Sequence, residues 1–264
     1  MMEDNYIDIN KKLWNEKTDI HVKSDFYEMD DFLAGKSTLK SIELNILGDI
    51  RGKSILHLQC HFGQDSLSLA RMGAKVTGVD LSNKSIEKAK TLNKQLELDA
   101  EFVCCDVYSS PKYIDEKFDY VFTSYGTIGW LPDINKWAEV VTHFLKPKGK
   151  FVFVELHPAI WMYDYNFKNI EHSYFNSGPI VETTPGTYAD RDSNIELKEI
   201  GWNHALSEVI GSLLKCGLTL NSFQEFNYSP HNCFAGTKEI EPGKFIIDHI
   251  GAKLPMTYAL EMSK

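Results

Sequence analysis

The sequence predicts an α/β fold built on a parallel sheet, and two observations support this prediction. Short apolar runs alternate along the chain with amphipathic stretches of helical periodicity, which is the pattern of strands joined by crossover helices. In addition, the apolar run at 54–58 is followed by a turn and a helix, and the next run, at 75–80, ends in an acid. This order is typical of open α/β sheets, which bind ligands at the carboxyl ends of their strands.

The first half of the chain contains the clearest pattern. SILHL at 54–58 is predicted to be a buried strand, followed by a helix over 64–72 that Gly73 ends. KVTGVD at 75–80 is the second strand, and Ser82 is placed to cap a helix that runs to about Leu96.

The middle of the chain continues this alternation. Strands are predicted at 100–107 and 118–124, and Pro132-Asp133 then begins a helix with apolar residues on one side as far as Leu145. Residues 146–149, Lys-Pro-Lys-Gly, stop that helix, and a fifth strand follows at 149–157.

The last third of the chain is less regular. A helix is predicted from about Asn203 to Gly217, and residues 218–228 and 256–263 are candidate closing strands. We therefore expect a single domain over 1–264. It is divided into four parts. A helical segment or lid covers 1–49, a cofactor-binding core 50–157, an irregular insertion over the acceptor site 158–202, and a closing helix with strands 203–264.

Composition limits the classes of function. Lys and Arg number 28 and Asp and Glu number 37, so the 264-residue chain has a net charge of −9. Such a chain without basic runs is a poor nucleic-acid binder and has no polybasic membrane patch. The polar N-terminus does not resemble a signal peptide, and no apolar run reaches the ~20 residues of a membrane helix. Five cysteines without CxxC spacing favour a cytoplasmic protein with free thiols.

The turn after the first strand and the acid after the second indicate a cofactor site. Backbone N–H groups of such a turn, with the helix that follows, approach an anionic group. Asp80 lies 21 residues after Gln59, where an acid accepts hydrogen bonds from ribose hydroxyls. This pattern by itself fits both a nicotinamide dinucleotide and S-adenosylmethionine.

Four segments in order resemble the class I S-adenosylmethionine-dependent methyltransferases. The segment 57–63 aligns with the first motif of that family, an acid followed by x-G-x-G-x-G, but only Gly63 matches. His57 stands in place of the acid, and Gln59 and His61 in place of the first two glycines. The segment LHLQCHFGQD is similar to the first motif of an uncharacterised bacterial subgroup of the family.

The other three segments match the family better. Residues 78–82 look like its ribose-binding segment, and 102–107 look like its third motif, whose Asp, here Asp106, meets the adenine amino group. Residues 118–121 and 145–150 resemble its fourth strand and the turn into the fifth.

This resemblance implies a Rossmann-like fold: a mainly parallel seven-stranded sheet with an antiparallel last strand and helices on both faces. It also implies S-adenosyl-L-methionine as cofactor. The residues expected to bind it are Gln59, Cys60, His61, Gly63, Asp80, Leu81, Ser82, Asp106, Val107 and Ser124. We expect no metal, because His57 lies on a strand and His61 in a turn, so their spacing does not unite two ligands.

The methyl acceptor is expected beside residues 123–130, which follow the fourth strand. This segment lacks the N/D-P-P-Y/F motif of nucleic-acid amino-methylating enzymes, and no Pro-Cys nucleophile is present. With the acidic charge, this favours a small-molecule acceptor. Two residues are candidate bases: His157, expected to share a strand face with Glu155, and Tyr125.

Two alternatives remain open. A non-catalytic cofactor-binding or scaffold protein of this fold is compatible with the missing glycines of the first motif. A nicotinamide-dependent dehydrogenase is disfavoured, because a pyrophosphate needs successive glycines for close backbone approach, and Gln59 and His61 crowd it.

Overall fold

The computed structural model describes residues 5–264, and a seven-stranded sheet lies at its centre. The order across the sheet is β3-β2-β1-β4-β5-β11-β8. The sheet strands are β1 (Ser54–Leu58), β2 (Lys75–Asp80), β3 (Glu101–Cys104), β4 (Phe118–Ser124), β5 (Leu145–Leu156), β8 (Thr219–Phe226) and β11 (Thr257–Ser263). Strands β1 to β5 pair in parallel, whereas β11 runs antiparallel to both β5 and β8. The predicted sheet and its antiparallel last strand are confirmed.

Helices cover both faces of the sheet, as predicted. The α-helices are α1 (Tyr6–His21), α2 (Met29–Leu33), α3 (Ser41–Leu47), α4 (Gln64–Arg71), α5 (Asn83–Gln95), α6 (Ile134–Phe144) and α7 (Leu206–Lys215). On one face, Leu56 and Phe153 pack in a cluster with residues of α6 and α7. On the other face, Ile55 and Val152 pack with residues of α4 and α5. Neighbouring residues of one strand thus serve opposite layers, since side chains alternate along a strand.

Side-chain caps fix where two of these helices begin. The Ser82 hydroxyl accepts a hydrogen bond from the Ser85 N–H at 3.0 Å, and Asp133 accepts one from the Lys136 N–H at 3.1 Å. Both caps satisfy backbone donors that lack a partner inside the helix. The predicted starts of α5 and α6 are therefore correct.

Two strand boundaries differ from the prediction by three or four residues. The third strand ends at Cys104 instead of 107, because Asp106 caps a 3₁₀ helix at Val107–Lys112. The fifth strand begins at Leu145 instead of 149, because Leu145 already pairs with Phe118 and the turn residues form an irregularity in the ladder.

Two hairpins lie outside the central sheet, and the sequence did not predict either of them. Segment 158–202, expected to be irregular, contains the antiparallel strands β6 (Ile180–Pro185) and β7 (Glu196–Gly201). Strands β9 (Thr237–Glu241) and β10 (Lys244–Ile247) form the second hairpin. Many of their side chains are exposed, so the apolar runs that mark a buried strand are missing.

Helix α1 packs against the first of these hairpins. The buried Asn10 side chain donates to the Ile200 carbonyl at 2.8 Å and accepts from the Ile200 N–H at 3.0 Å. Asn10 therefore pairs with β7 as a neighbouring strand would.

Among the described residues, no helix is long and apolar enough to cross a membrane.

Candidate active site

A large cavity lies at the carboxyl ends of the parallel strands, where open α/β sheets bind their ligands. Its volume is about 1020 Å³, which is at the upper end of the range for ligand pockets. The strand ends and the turns after them form its floor, and α1 and the segment 158–202 contribute to its walls.

The turn after β1 has the backbone of a glycine-rich loop without most of its glycines. Gln59 and His61 have positive φ angles of 57° and 52°, in the left-handed region that glycine favours. Gly63, with φ of 81°, leaves no room for a side chain, since a Cβ there would lie 2.8 Å from the Phe102 ring and 2.9 Å from Ala89. The conformation predicted from the first motif is thus present despite the substitutions at 59 and 61.

Asp80 lies at the end of β2 and lines the cavity, as predicted. Its carboxylate accepts hydrogen bonds from the His61 N–H and the Ser82 N–H, both at 2.8 Å. Burial raises the pKa of the Asp80 carboxyl to about 6, against these two hydrogen bonds, which lower it. A carboxylate has about four lone-pair sites, so Asp80 retains capacity to accept hydrogen bonds from a ligand.

The other predicted cofactor residues, with one exception, line the same cavity: Gln59, Cys60, His61, Gly63, Leu81, Asp106, Val107 and Ser124. Asp106 also caps the 3₁₀ helix, accepting a hydrogen bond from the Ser109 N–H at 3.0 Å. Asp106 therefore caps this helix and also lies in the cavity wall.

Three buried polar atoms of the cavity wall have no hydrogen-bond partner within residues 5–264: His57 Nε2, Gln59 Oε1 and Tyr258 Oη. Buried polar groups are normally paired, so each of these atoms lacks its expected partner. Gln59 Oε1, which follows β1, is an acceptor and would suit the ammonium group of S-adenosylmethionine. Tyr258 is fully buried on β11 and offers no exposed surface to a ligand.

Helix α1 extends over the turn after β1. His21 Nδ1 lies 3.0 Å from His61 Nε2, and His61 Nδ1 lies 3.0 Å from Ser85 Oγ. Burial lowers the pKa of His21 to about 2 and that of His61 to about 3, so both imidazoles are neutral at neutral pH. The Trp14 ring packs on His61 with centroids 5.2 Å apart. The N-terminal segment is thus joined directly to the candidate cofactor turn.

The second half of the cavity lies beyond β4 and β5 and has aromatic walls. Tyr125, directly after β4, has a φ of 46°, which is a strained conformation for a bulky residue. Its hydroxyl donates to Glu43 Oε2 at 2.6 Å. The His231 ring packs edge-on against the Tyr125 ring at 4.7 Å, and burial lowers the pKa of His231 to about 3.

Glu155 has a structural role in this half. Its buried carboxylate accepts hydrogen bonds from the N–H groups of Gly126, Thr127 and Ile128, the last two at 2.7 and 3.2 Å. Burial raises the pKa of Glu155, and the hydrogen bonds oppose that rise. Glu155 therefore fixes the loop after β4.

Two predicted site residues do not line the cavity. His157 comes after the end of β5 and turns away, so its Nε2 lies 2.9 Å from Glu225 Oε1 and its Nδ1 accepts from the Ala159 N–H. Strand β5 ends at Leu156, so His157 follows the strand, and its side chain contacts Glu225 instead of lining the cavity with Glu155. The Ser82 hydroxyl is fully buried as the cap of α5 and donates to Asn15.

Three residues that the sequence analysis missed belong to the site: Glu43, Asp65 and His231. Asp65 follows Gly63 by two residues and accepts from Ser124 Oγ at 3.3 Å and from Thr38 Oγ1. Its place in the first helical turn after the motif was a usable signal. Glu43 and His231 lie outside every motif and gave no such signal.

The charged groups of the cavity wall are mostly acidic. Its basic residues are Lys17, Lys40 and Arg191, and its acidic residues are Glu28, Asp65, Asp80, Asp106, Glu155, Asp164, Glu171, Glu182 and Glu199. In the part of the chain that the structure describes, no group of three or more His, Cys, Asp or Glu side chains is placed to hold a metal ion.

Comparisons with known proteins show which sequences and folds the chain resembles. Residues 55–149 match the family model of a methyltransferase domain. Over 136 residues, the chain is 31% identical to a ubiquinone biosynthesis O-methyltransferase from Coxiella burnetii, which covers 52% of this chain and 56% of that relative. The chain thus spans about half the length of this curated relative.

Two solved structures share the fold. An S-adenosylmethionine-dependent methyltransferase from Mesorhizobium loti is 19% identical with a TM-score of 0.57, covering 88% of this chain and 100% of that one. Geranyl diphosphate C-methyltransferase from Streptomyces coelicolor, solved with S-adenosyl-L-homocysteine, is 15% identical with a TM-score of 0.56, covering 85% and 76%.

Proposed function

We propose that the chain, whose residues 55–149 match a methyltransferase domain, is a class I S-adenosylmethionine-dependent methyltransferase and transfers a methyl group from S-adenosylmethionine to a small-molecule acceptor. The observation that carries this proposal is the joining of two halves in one cavity. One half has Asp80 and the left-handed turn after β1, and the other has aromatic walls around Tyr125.

The first half would hold the donor. Asp80 would accept hydrogen bonds from the ribose hydroxyls and Asp106 from the adenine amino group, while Gln59 would contact the amino-acid portion. S-adenosylmethionine, when bound, supplies a methyl group that is already activated on a sulfonium. The protein therefore contributes mainly by orienting the two reactants and excluding water.

The second half would hold the acceptor. The aromatic rings of its walls exclude water and attract a cationic sulfonium through their π faces. The excess of acidic wall residues opposes an anionic acceptor such as a phosphate ester, and supports a small molecule over a nucleic acid. A cytoplasmic location, supported by five cysteines without a disulfide, completes the proposal.

Donor binding is tested at Asp80. Asp80→Ala removes a carboxylate that accepts ribose hydroxyls, and hydrogen bonds to a charged group are worth ~1.5–3 kcal/mol. Calorimetric titration with S-adenosylhomocysteine is expected to show at least ~10-fold weaker binding.

The matched control is Asp119→Ala. Asp119 accepts from the Ser54 N–H at 2.8 Å and pairs with Lys146, but it lies near the start of β4 and does not line the cavity. This variant is expected to bind S-adenosylhomocysteine as the unaltered protein does. Unchanged affinity in Asp80→Ala would contradict the ribose assignment.

Two further measurements separate the alternatives. Titration with NAD is expected to show no binding, whereas a dehydrogenase would bind it. Labelled S-adenosylmethionine is then incubated with a metabolite extract, and the labelled product identifies the acceptor. A protein that binds the donor but labels nothing would be a scaffold.

A further inference from the structure

The side chain of Tyr125 connects the acceptor half to a second, buried residue. Tyr125 lines the cavity, and its hydroxyl donates a hydrogen bond of 2.6 Å to Glu43 Oε2. Since the only proton of the phenol is engaged by Glu43, the oxygen lone pairs are left to accept. A ligand group that meets this oxygen must therefore donate a proton.

Glu43 itself does not line the cavity and is fully buried. It is the third residue of α3, and its Oε1 accepts from the Lys40 N–H at 2.5 Å. Burial raises the pKa of the Glu43 carboxyl to about 7, against hydrogen bonds from Lys40 and Tyr125 that lower it. The carboxylate is thus a base of moderate strength near neutral pH.

The surroundings of the pair contain few other ionisable groups. Strands β5 and β11 present apolar residues, including Val154 and Ala259, to the cluster that holds Ile42 beside Glu43. Within residues 5–264, the titratable residues that face Glu43 or Tyr125 are Asp65 of α4, Tyr228 and His231, and the charge of Lys40 acts on His231.

Backbone strain supports a role for Tyr125 beyond packing. Its left-handed conformation, with φ of 46°, is unfavourable for a bulky side chain and persists only where the surroundings impose it. Here the Tyr125 N–H donates to the Val154 carbonyl at 2.7 Å, and Glu155 fixes the next residues. The strained residue therefore holds its hydroxyl between the cavity and Glu43.

We propose that Tyr125 and Glu43 form a proton relay and that the methyl acceptor is a molecule with a hydroxyl group. The proposal rests on the proposed methyl transfer. The acceptor O–H bond breaks as its proton moves to Tyr125 Oη, and the Tyr125 proton moves to Glu43 Oε2. The acceptor oxygen keeps the electron pair with which it forms the new bond to the methyl carbon, and the pair of the broken C–S bond remains on the donor sulfur.

His231 is the competing proton acceptor. It lines the cavity beside Tyr125, and within the described residues its imidazole makes no side-chain hydrogen bond. The lowering of its pKa to about 3, however, makes it a much weaker base than Glu43. Variants at the two positions separate these routes.

The first measurement requires no ligand. Infrared difference spectra between the unaltered protein and Glu43→Gln isolate the C=O band of protonated Glu43, which is recorded against pH. The band is expected to disappear with a midpoint near pH 7 and to shift in Tyr125→Phe. A carboxyl that is ionised already at pH 5, or still protonated at pH 9, overturns the relay.

The second measurement is kinetic, with the acceptor identified from the metabolite extract. The relay needs ionised Glu43, so kcat of the unaltered protein is expected to rise with pH through about 7 and then to level off. Tyr125→Phe and Glu43→Gln are each expected to lower kcat by ~10²-fold or more, to leave the KM for the donor unchanged, and to remove this limb.

Tyr228→Phe is the matched control, and His231→Gln tests the competing route and is expected to keep the pH limb. Tyr228 packs near Tyr125 but does not line the cavity, so loss of its hydroxyl is expected to leave kcat and the pH profile unchanged. Thermal unfolding of each variant corrects rates for the folded fraction.

The outcomes distinguish the two proposals. Methyl transfer at the normal rate in Tyr125→Phe, loss of the pH limb in His231→Gln alone, or an acceptor without a hydroxyl overturns the relay and leaves the methyltransferase intact. Failure of the unaltered protein to bind S-adenosylhomocysteine or to label any acceptor overturns the proposed function, and the relay with it.

Discussion

Left-handed backbone at non-glycine residues marks the functional edge of the sheet. Gln59 and His61 follow β1 in this conformation, and Tyr125 follows β4 in it. The glycines at the first two positions of the family's motif therefore indicate a left-handed backbone, which other residues can also adopt. With glutamine in place of glycine at residue 59, the side-chain amide donates to the Thr127 carbonyl at 2.8 Å. Glycine cannot make this contact.

Gly63→Ala tests the close packing at this edge. An added Cβ would lie within 3.0 Å of Phe102 and Ala89, and overpacking of this kind costs roughly 1–3 kcal/mol. Left-handed backbone adds a further ~1–2 kcal/mol for alanine. Urea unfolding is expected to show the sum of both costs.

Gly52→Ala is the control, because Gly52 has a φ of 71° and open space around its Cβ position. Its free energy of unfolding is expected to fall only by the cost of the left-handed backbone, without the packing cost. Equal losses in the two variants would show that packing against Phe102 does not constrain residue 63.

At the scale of secondary structure, α1 and the β6–β7 hairpin form one wall of the cavity. Tyr6, Trp14 and Lys17 of α1 line it, as do Thr183 and Glu199 of the hairpin. Lys17 pairs with Glu199 at 3.2 Å, and this link joins the two elements. Segments far apart in sequence therefore close the site together.

Asn10→Ala is expected to separate α1 from this hairpin. It leaves the Ile200 N–H and C=O without their partner, and an unsatisfied buried group costs roughly 1–3 kcal/mol. Hydrogen exchange is expected to become faster in α1 and β7 while β1 to β5 remain protected.

The control is Asn221→Ala. The exposed Asn221 side chain contacts Ser263, so its loss should not change exchange in α1. Unaltered exchange in Asn10→Ala would mean that Asn10 does not hold α1.

The whole molecule combines a continuous sheet with a cover built from the N-terminal segment and the internal segment 158–202. Residues 5–33 and 158–202 contribute most of the walls that are not strand ends, and Tyr27 and Tyr188 from these two parts meet through their hydroxyl groups. The cover contacts the candidate cofactor turn through His21 and His61. Ligand binding at the strand ends should therefore be felt in both parts of the cover.

Hydrogen exchange with and without S-adenosylhomocysteine measures this coupling. Residues around Phe26 and Tyr27 and the segment 158–202 are expected to become protected when the ligand binds, since covers of active sites are ordered by their ligands. Helix α7, which does not line the cavity, serves as the internal control. Protection confined to β1–β3 would contradict the assignment of these segments as a cover.

Local patterns in the sequence determined the fold class and the order of strands and helices along the chain. They also named most of the wall residues of the proposed donor half. Periodicity, caps and turns depend on residues close together in the chain, so β1, β2, β4, α5 and Asp80 could be placed without a structure. The hairpins lacked such patterns because their side chains alternate weakly between core and solvent.

Only the tertiary structure decided the acceptor half. Glu43 and Tyr125 are 82 residues apart, and His157 pairs with Glu225 at a separation of 68 residues. The sequence therefore named Tyr125 without its partner, and it named His157, which turns away from the cavity. The physical reason is that contacts across such distances depend on how helices and strands pack, and no local periodicity encodes that packing.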